Sequence, residues 1–415
     1  MVKYRKIANI IEEWIEEKEI IILTGVRQVG KTSILNLLER KIKEGNNKNV
    51  FYLSLEDMNI LNSLNENPEN IFHYALDKNK KNYFLIDEIQ YLDNPSNFLK
   101  LLYDKHVERV KLIVTGSSSL ELKADLQDSL AGRKIAFEVN PLDFEEYLQF
   151  RGFEFLDYLH KKDLPEDIRK KFDEMLEEYL VYGGMPAVAL QNDREKKIRL
   201  LEEYVSAYIN KDIRAIGKID NIGGFNNFIK TIAAQAGGLL NVNELSNTLG
   251  IDRRHIQKYL DLLEHTFVLG KAAPFLGNIR SQITKMHKMY FFDNGIRNAI
   301  LGNFLAMDKR GDAGALFENF VFMELRKNIA DKIFFYRTSG GSEIDFILEK
   351  QGVVYPIEAK FKRLRKKIDE RALESFIKKA KGGCQAYVVN VLYNGKSAFA
   401  EYVDYRFINA IGSVK

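Results

Sequence analysis

One stretch near the N-terminus limits the possible folds more than any other part of the sequence. Residues Gly25–Thr32 read Gly-Val-Arg-Gln-Val-Gly-Lys-Thr; they follow an apolar run at 19–23 and precede a helical pattern that begins near Lys31. Its two glycines let the backbone curl, so that successive N–H groups point at phosphate oxygens, and the helix N-terminus adds its dipole. This spacing is the P-loop pattern, and it predicts a phosphate-binding loop between a strand and a helix.

The side chains of this loop have separate expected roles. Lys31 supplies a positive charge to the phosphates, and the hydroxyl of Thr32 is a ligand for Mg²⁺. ATP and Mg²⁺ are therefore the expected cofactors; a glycine-containing turn with a chance Lys-Thr is the alternative. The predicted cofactor-binding residues are Gly25, Val26, Arg27, Gln28, Val29, Gly30, Lys31, Thr32 and Ser33.

Two carboxylates follow a second apolar run, Tyr83–Ile86, about 55 residues after the loop. Asp87 is predicted to hold the metal ion, through water, and Glu88 to polarise the attacking water as a general base. The alternative is that these two acids have no function and are simply exposed to solvent where the chain leaves the strand. The spacing from the loop favours the functional interpretation.

Further polar residues lie at the end of the next predicted strand, 111–115, and directly after it. Thr115 and Ser117 are candidates to reach between the terminal phosphate and the attacking water, although turn chemistry would also explain them. Arg133 is a candidate cation beside the developing charge, and a surface arginine is the alternative. The sequence leaves open whether Arg133 would act in its own chain or in a neighbouring copy, which would require a homo-oligomer. The predicted catalytic residues are Lys31, Glu88, Thr115 and Arg133.

The order of strand and helix patterns predicts the fold. In the first third of the chain, short apolar runs alternate with amphipathic stretches, which is typical of a mostly parallel α/β sheet covered by helices. A helical lid follows, then two short helices with a β-ribbon in the order of a winged helix-turn-helix, and then a second α/β module. The predicted domains are 1–142, 143–215, 216–280 and 281–415.

Several of these segments together resemble a known family, the AAA-like prokaryotic P-loop ATPases with a conserved C-terminal domain of unknown function. The resemblance implies ATP binding and hydrolysis on an additional-strand P-loop core, followed by a winged helix and a nuclease-like domain. It extends over nearly the whole chain. The segments that carry it are Gly25–Thr32, Ile86–Gln90, Thr115–Ser118, Leu130–Arg133, Pro141–Phe144, Gly183–Pro186 and the end module.

A second group of acids lies in the last domain. Side chains alternate between the two faces of a strand. Asp345 lies on one face of a predicted strand, and Glu358 and Lys360 share a face of the next strand. If Gly352 marks the turn of an antiparallel hairpin, two carboxylates would hold Mg²⁺ and Lys360 would activate water, as in PD-(D/E)XK restriction-endonuclease-like domains. Glu318, on the preceding helix, resembles the acid that often completes such a metal site. A retained fold whose charges only bind nucleic acid or support the core is the alternative.

Two basic segments suggest DNA as a partner. Residues 359–382 contain ten Lys or Arg against three acids, and we expect them to form a basic helix that attracts phosphates. The alternative for this segment is a helix face that is only exposed to solvent, since such faces also carry runs of charge. The alternative for the winged helix is protein binding. At the start of the expected recognition helix lie Arg253, Arg254, His255, Gln257 and Lys258.

The charge and the cysteine content bear on the partners and the cellular compartment of the protein. Lys plus Arg number 62 and Asp plus Glu 58, so the formal net charge of +4 predicts no partner. The single cysteine, Cys384, can form neither an internal disulfide nor a cysteine-based metal cage, which is typical of a reducing compartment. Without a signal peptide pattern or an apolar run of roughly 18 residues, we expect a cytoplasmic protein with no membrane partner.

Three functional hypotheses remain open from the sequence. The first is an Mg²⁺-dependent ATP hydrolase that couples its nucleotide state to DNA binding or processing by the C-terminal modules. The second is a nucleotide-gated DNA-binding switch with an inactive nuclease-like domain. The third adds metal-dependent DNA cleavage at Asp345, Glu358 and Lys360.

Overall fold

The structure is a computed structural model. It describes residues 3–44, 48–75, 81–116, 130–275, 286–329, 332–338, 340–364, 368–380 and 382–412. The chain divides into two compact units, one formed by residues 1–141 with 265–267 and the other by 142–264 with 268–415.

The first unit contains a five-stranded sheet in the order β2-β3-β4-β1-β5. All neighbouring strands are parallel, so their carboxyl ends meet at one edge. Every residue of β3 and β4 is buried, which explains why these strands read as continuous apolar runs. The predicted parallel α/β fold is confirmed. The strands are β1 (Ile20–Thr24), β2 (Asn49–Ser54), β3 (Asn82–Asp87), β4 (Val110–Thr115) and β5 (Lys134–Glu138).

Helices connect these strands, and their starts follow local capping rules. Asp57 accepts a hydrogen bond from the Asn59 N–H at the start of α3, and Asn94 accepts one from the Asn97 N–H at the start of α4. Short 3-10 turns occupy Pro68–His73 and Ile89–Tyr91. The helices of this unit are α1 (Lys6–Glu12), α2 (Lys31–Glu44), α3 (Met58–Glu66) and α4 (Pro95–His106).

The second unit begins with helices, as the sequence pattern predicts. Asp143 and Glu146 form a capping box at the start of the first of them. A π-helical segment spans Val205–Ile213, and 3-10 turns occupy Leu156–Tyr158, Met307–Lys309 and Tyr405–Ala410. The α-helices are α5 (Phe144–Arg151), α6 (Glu166–Tyr182), α7 (Pro186–Ala189), α8 (Arg194–Tyr204), α9 (Arg214–Gly217), α10 (Ile222–Ala234), α11 (Val242–Leu249), α12 (Arg253–His265), α13 (Asn294–Leu301), α14 (Ala313–Asn328) and α15 (Arg371–Lys379).

A mixed sheet forms the rest of the second unit. Its strands run in the order β13-β14-β12-β10-β9-β8-β6-β7, with β11 paired to β10. The antiparallel hairpin expected at Gly352 is present, because β9 and β10 pair across it. The strands are β6 (Leu269–Pro274), β7 (Lys288–Phe291), β8 (Phe334–Arg337), β9 (Glu343–Lys350), β10 (Val353–Lys360), β11 (Gly383–Cys384), β12 (Ala386–Asn390), β13 (Gly395–Lys396) and β14 (Ala400–Asp404).

The expected basic helix over 359–382 is wrong in its extent. Lys360 is the last residue of β10, where it pairs with Asn390 of β12. The helix α15 begins only at Arg371, whose backbone N–H donates to the Asp369 carboxylate just before it. Part of the basic segment therefore continues a strand, and Arg365, Lys366, Lys367 and Lys381 lie outside the described residues.

None of the helices in the described ranges is both long and apolar enough to cross a membrane.

Candidate functional site

The backbone of the loop Gly25–Thr32 curls through residues with positive φ. Gly25 has a φ of +150°, and a Cβ atom there would lie 2.2 Å from the carbonyl oxygen of Val139. Gln28 and Gly30 also have positive φ, at 62° and 93°. The chain thus curls between the end of β1 and the start of α2, where helix N–H groups are available to an anion.

Lys31 folds back over this loop. Its Nζ donates to the carbonyl oxygens of Gly25 and Val26 over 3.1 and 3.0 Å, and the residue is 5% exposed. Burial lowers the pKa of Lys31, while the charges of Glu88 and Asp87 act in the opposite direction. A buried ammonium that donates to backbone carbonyl oxygens is suited to pairing with a phosphate.

Asp87, the last residue of β3, is the centre of a hydrogen-bond network. Thr32 Oγ1 donates to Asp87 Oδ2 over 2.7 Å, and the Tyr52 hydroxyl donates to the same oxygen over 2.9 Å. The Thr115 hydroxyl donates to the other oxygen, Oδ1. Burial, together with the charge of Asp87, raises the pKa of Tyr52, so this phenol remains a donor. The network joins the ends of β2, β3 and β4 to the P-loop.

Glu88 follows Asp87 in a left-handed backbone conformation, with φ of 61° and ψ of 51°. Its N–H donates to Thr115 Oγ1 over 2.9 Å, and its carboxylate accepts a hydrogen bond from the Gln90 side-chain amide. Conformations of this kind in a non-glycine residue persist where surrounding contacts fix them. Thr115 thus orients both acids.

These residues fit ATP with Mg²⁺. Lys31 lies at the loop, and the Thr32 hydroxyl and the Asp87 carboxylate are 2.7 Å apart. Mg²⁺ prefers oxygen ligands and is commonly bound by one or two protein groups together with phosphate oxygens. The donor set therefore suits this ion, and the curled backbone suits the phosphates.

Arg133 does not join this group in its own chain. Its carbonyl oxygen accepts from the Ile20 N–H, at the start of β1, whereas the P-loop follows Thr24 at the other end. Four residues of strand span about 13 Å. The Arg133 side chain instead pairs with Asp104 over 2.7 Å. The parallel sheet thus places Arg133 at the edge opposite the P-loop, and its catalytic role stays a prediction.

Two residues of this region were missed by the sequence interpretation. Tyr52 contacts Asp87, but a tyrosine in a strand has no signal that separates it from a core residue. Arg5 is 5% exposed and donates to the carbonyl oxygens of Val29 and Asn140, each over 2.7 Å. It thereby supports the P-loop from a helix start far away in sequence. Ser117 lies outside the described residues.

Among the C-terminal acids, Asp345 and Glu358 form one pair, which shares Lys360. Asp345 Oδ2 accepts from the Ala359 N–H over 2.8 Å, and Lys360 Nζ lies 2.6 Å from Glu358 Oε2 and 3.6 Å from Asp345 Oδ2. Burial and the neighbouring charge of Asp345 raise the pKa of Glu358 to about 7. Burial alone would lower the pKa of Lys360, but Asp345 and Glu358 outweigh it and raise that pKa to about 12.

Glu318 has other partners. Its Oε1 accepts from Lys288 Nζ over 3.1 Å and from the Tyr290 hydroxyl over 2.7 Å. Lys288 Nζ also lies 2.6 Å from Glu343 Oε1. Within the described ranges, no three His, Cys, Asp or Glu residues are arranged so that they could hold a metal ion. The predicted ligands Glu318, Asp345 and Glu358 therefore do not fit Mg²⁺ in this arrangement, because Glu318 is bound to Lys288 and Tyr290.

Apart from the half-buried Lys360, the described basic residues of both segments are exposed, and several of them form ion pairs. Arg363 pairs with Asp173 over 2.8 Å, Lys378 pairs with Glu374 over 2.6 Å, and Arg371 pairs with Asp369. On α12, apolar residues are buried and polar residues are exposed. The exposed residues include Arg253, Arg254, His255, Gln257 and Lys258.

Comparisons with known proteins agree with this geometry. Residues 17–148 match an AAA domain, residues 173–306 match DUF8612, and residues 313–408 match DUF4143, the last two being domains of unknown function. An uncharacterized protein of Methanocaldococcus jannaschii is 29% identical over 363 residues, which are 83% of this chain and 76% of that protein. An uncharacterized protein of Haemophilus influenzae is 26% identical over 366 residues, which are 85% and 86% of the two chains.

Solved structures also resemble the chain. The Walker-type ATPase of Pyrococcus abyssi has 16% identity and a TM-score of 0.45, with 72% of this chain and 96% of that chain covered. RuvB of Thermotoga maritima has 18% identity and a TM-score of 0.31, with 64% and 88% covered.

The sheet order, the P-loop and the carboxylates after β3 are features of a P-loop NTPase fold, and residues 17–148 match an AAA domain. The domain matches are more particular. They show an AAA domain followed by a C-terminal domain of unknown function, the combination that the resemblance to AAA-like P-loop ATPases implies.

Proposed function

We propose that this protein binds ATP with Mg²⁺ and hydrolyses it at the carboxyl edge of the first sheet. The observation that carries this proposal is the network around Asp87, which brings Thr32 of the P-loop within 2.7 Å of the carboxylate after β3. In P-loop NTPases these two groups bind the metal ion between them.

Each residue has a role that follows from its position. Lys31 leaves the loop carbonyls to pair with phosphate oxygens, and the N–H groups at the start of α2 bind the same anion. Glu88 accepts a proton from the attacking water and polarises it. When bound, Mg²⁺ supplies positive charge beside the transferred phosphoryl group.

Nucleotide binding by the full chain tests the phosphate site. Lys31→Ala should lose ATP binding or turnover, measured by calorimetric titration with Mg–ATP and by phosphate release. Lys18→Ala is a matched control, since Lys18 is an exposed lysine of the same unit that pairs with Glu108. Equal binding and turnover by Lys31→Ala and the control would refute the assignment.

The second candidate function is DNA binding that depends on the nucleotide state. Its support is the exposed basic start of α12, in a helix that is followed by the antiparallel pair β6 and β7. This order is that of a winged helix, whose recognition helix enters a major groove with its N-terminal residues. Arg253, Arg254 and Lys258 would contact phosphates or base edges.

Fluorescence anisotropy with duplex DNA over a range of salt concentrations tests this candidate. The triple variant Arg253→Ala/Arg254→Ala/Lys258→Ala should bind more weakly, and the slope of log K against log salt should become shallower by about 3. The matched control removes three exposed charges outside both basic segments: Lys161→Ala/Lys162→Ala/Lys170→Ala. An unchanged slope in the first triple variant would contradict the role of α12, and an ATP analogue and ADP should give different affinities.

For the last domain we propose a restriction-endonuclease-like fold that does not cleave DNA. The hairpin of β9 and β10 brings Asp345, Glu358 and Lys360 together, as that fold requires. The contact of Lys288 with Glu318 and Glu343 favours the inactive alternative over metal-dependent cleavage, because Glu318 is the acid expected to complete the metal site. Plasmid nicking that is equal in the wild type and in Asp345→Ala is the expected result, and nicking that Asp345→Ala abolishes would contradict it.

A further inference from the structure

Lys288 lies inside the group of C-terminal carboxylates. Its side chain is 3% exposed, and its Nζ is 3.1 Å from Glu318 Oε1 and 2.6 Å from Glu343 Oε1. The same atom lies 5.8 Å from the centre of the Phe335 ring, within the range of a cation–π contact. Two carboxylates and an aromatic ring therefore enclose this ammonium group.

The backbone fixes the position of this lysine. Lys288 begins β7, where it pairs with Ala272 of β6 and forms a bridge with Leu239. Tyr290 is two residues further along the strand, on the same face, and donates to Glu318 over 2.7 Å. One face of β7 thus presents a cation and a hydrogen-bond donor to the same carboxylate.

The other acids of the cluster are also matched with a lysine. Asp345 and Glu358 have their own ammonium partner in Lys360. Each pair of acids in the cluster is therefore matched with one buried or half-buried lysine.

An ammonium group at this position would compete with a metal ion. A divalent cation at Glu318 would lie next to the positive charge of Lys288, and repulsion between such charges is strong where water is excluded. Removing Lys288 would leave the partly buried carboxylates of Glu318 and Glu343 without a counter-ion, so a metal ion would then be favoured at this position.

We propose that the Lys288 ammonium is the resident cation of Glu318 and Glu343, and that the C-terminal carboxylates bind no divalent metal ion while it is there. The inference is independent of the proposed ATP hydrolysis. It assigns to Lys288 a role that excludes metal ions from a nuclease-like site.

Counting Mn²⁺ ions bound to the nucleotide-free full chain tests the inference, with electron paramagnetic resonance measuring the free ion. Lys288→Met should bind one more Mn²⁺ per chain than the wild type, because the vacated position between Glu318 and Glu343 then suits a cation. Lys288→Arg retains the charge and should match the wild type. The double variant Lys288→Met/Glu318→Gln should lose the additional ion, and ions bound elsewhere cancel in each comparison.

Two results would overturn the inference. The first is a wild-type count that falls by one in Glu318→Gln, since the metal would then already be bound beside Lys288. This comparison does not require Lys288→Met to fold. The second is a Lys288→Met protein with the wild-type circular dichroism spectrum that binds no additional ion.

Discussion

At the scale of residues, the candidate site of the first unit is built around the buried carboxylate of Asp87. Asp87 accepts hydrogen bonds from Thr32, Tyr52 and Thr115, and Thr115 also accepts one from the Glu88 N–H. Thr115 is therefore a positioning residue in this structure, although the sequence interpretation places it beside the phosphate. Its hydroxyl fixes the two acids relative to each other.

Replacing Thr115 by valine keeps its shape and removes this hydroxyl. We expect kcat for ATP hydrolysis to fall by about tenfold or more, and the free energy of unfolding to fall by about 1–3 kcal/mol, because Asp87 and the Glu88 N–H lose a buried partner. ATP affinity should change little, since the P-loop is untouched. Thr115→Ser is the control that retains the hydroxyl. Wild-type kinetics in Thr115→Val would contradict the positioning role.

The sequence predicts P-loop residues and the acids after β3 well, because each lies at a fixed offset within one local motif. Tyr52, Arg5 and Lys288 were not predictable in this way. Each acts through a partner on another element, and the identity of that partner depends on strand pairing. Lys288 and Glu343, for example, are 55 positions apart in the sequence and meet only because β7 and β9 belong to one sheet.

At the scale of elements, buried polar groups hold turns and helices of the second unit in place. The Gly183–Pro186 turn is one case. The Gly184 N–H donates to Asp293 Oδ2 over 2.6 Å, and a Cβ atom on Gly183 would lie 2.0 Å from Asp293 Oδ1. The sequence shows the turn, but not the aspartate before α13 that requires its glycines.

Asp173 of α6 gives this unit a pH-dependent contribution to stability. Burial, opposed by Arg363, raises the pKa of Asp173 to about 6, from an ordinary value of 3.8. Between these values the unfolded chain releases the proton while the folded chain keeps it, so the free energy of unfolding falls as the pH rises from about 4 to 6, by at most about 3 kcal/mol.

Urea unfolding of the wild type and Asp173→Asn at pH 4 and pH 7 measures this contribution. The variant should gain stability relative to the wild type as the pH rises, because its amide does not titrate. Asp167→Asn, an exposed position on the same helix, is the control. A stability difference that stays constant between the two pH values would contradict the assignment to Asp173.

At the scale of the whole molecule, the sequence separates two kinds of acidic site that the net charge of +4 conceals. The acids of the first unit lie beside a loop suited to phosphate and have oxygen donors as neighbours. The acids of the second unit have lysines as neighbours instead. The sequence places the two groups of acids in separate domains, but it could not show this difference in their neighbours, because Lys288 meets Glu318 and Glu343 only in the folded second unit.

The most direct test of the central proposal is the rate of phosphate release from Mg–ATP by the wild type and by Glu88→Gln. We predict that Glu88→Gln binds ATP as the wild type does. Its turnover rate should be lower by a factor of about 100 or more, since it lacks the general base. Equal turnover rates in the two proteins would contradict ATP hydrolysis at this site.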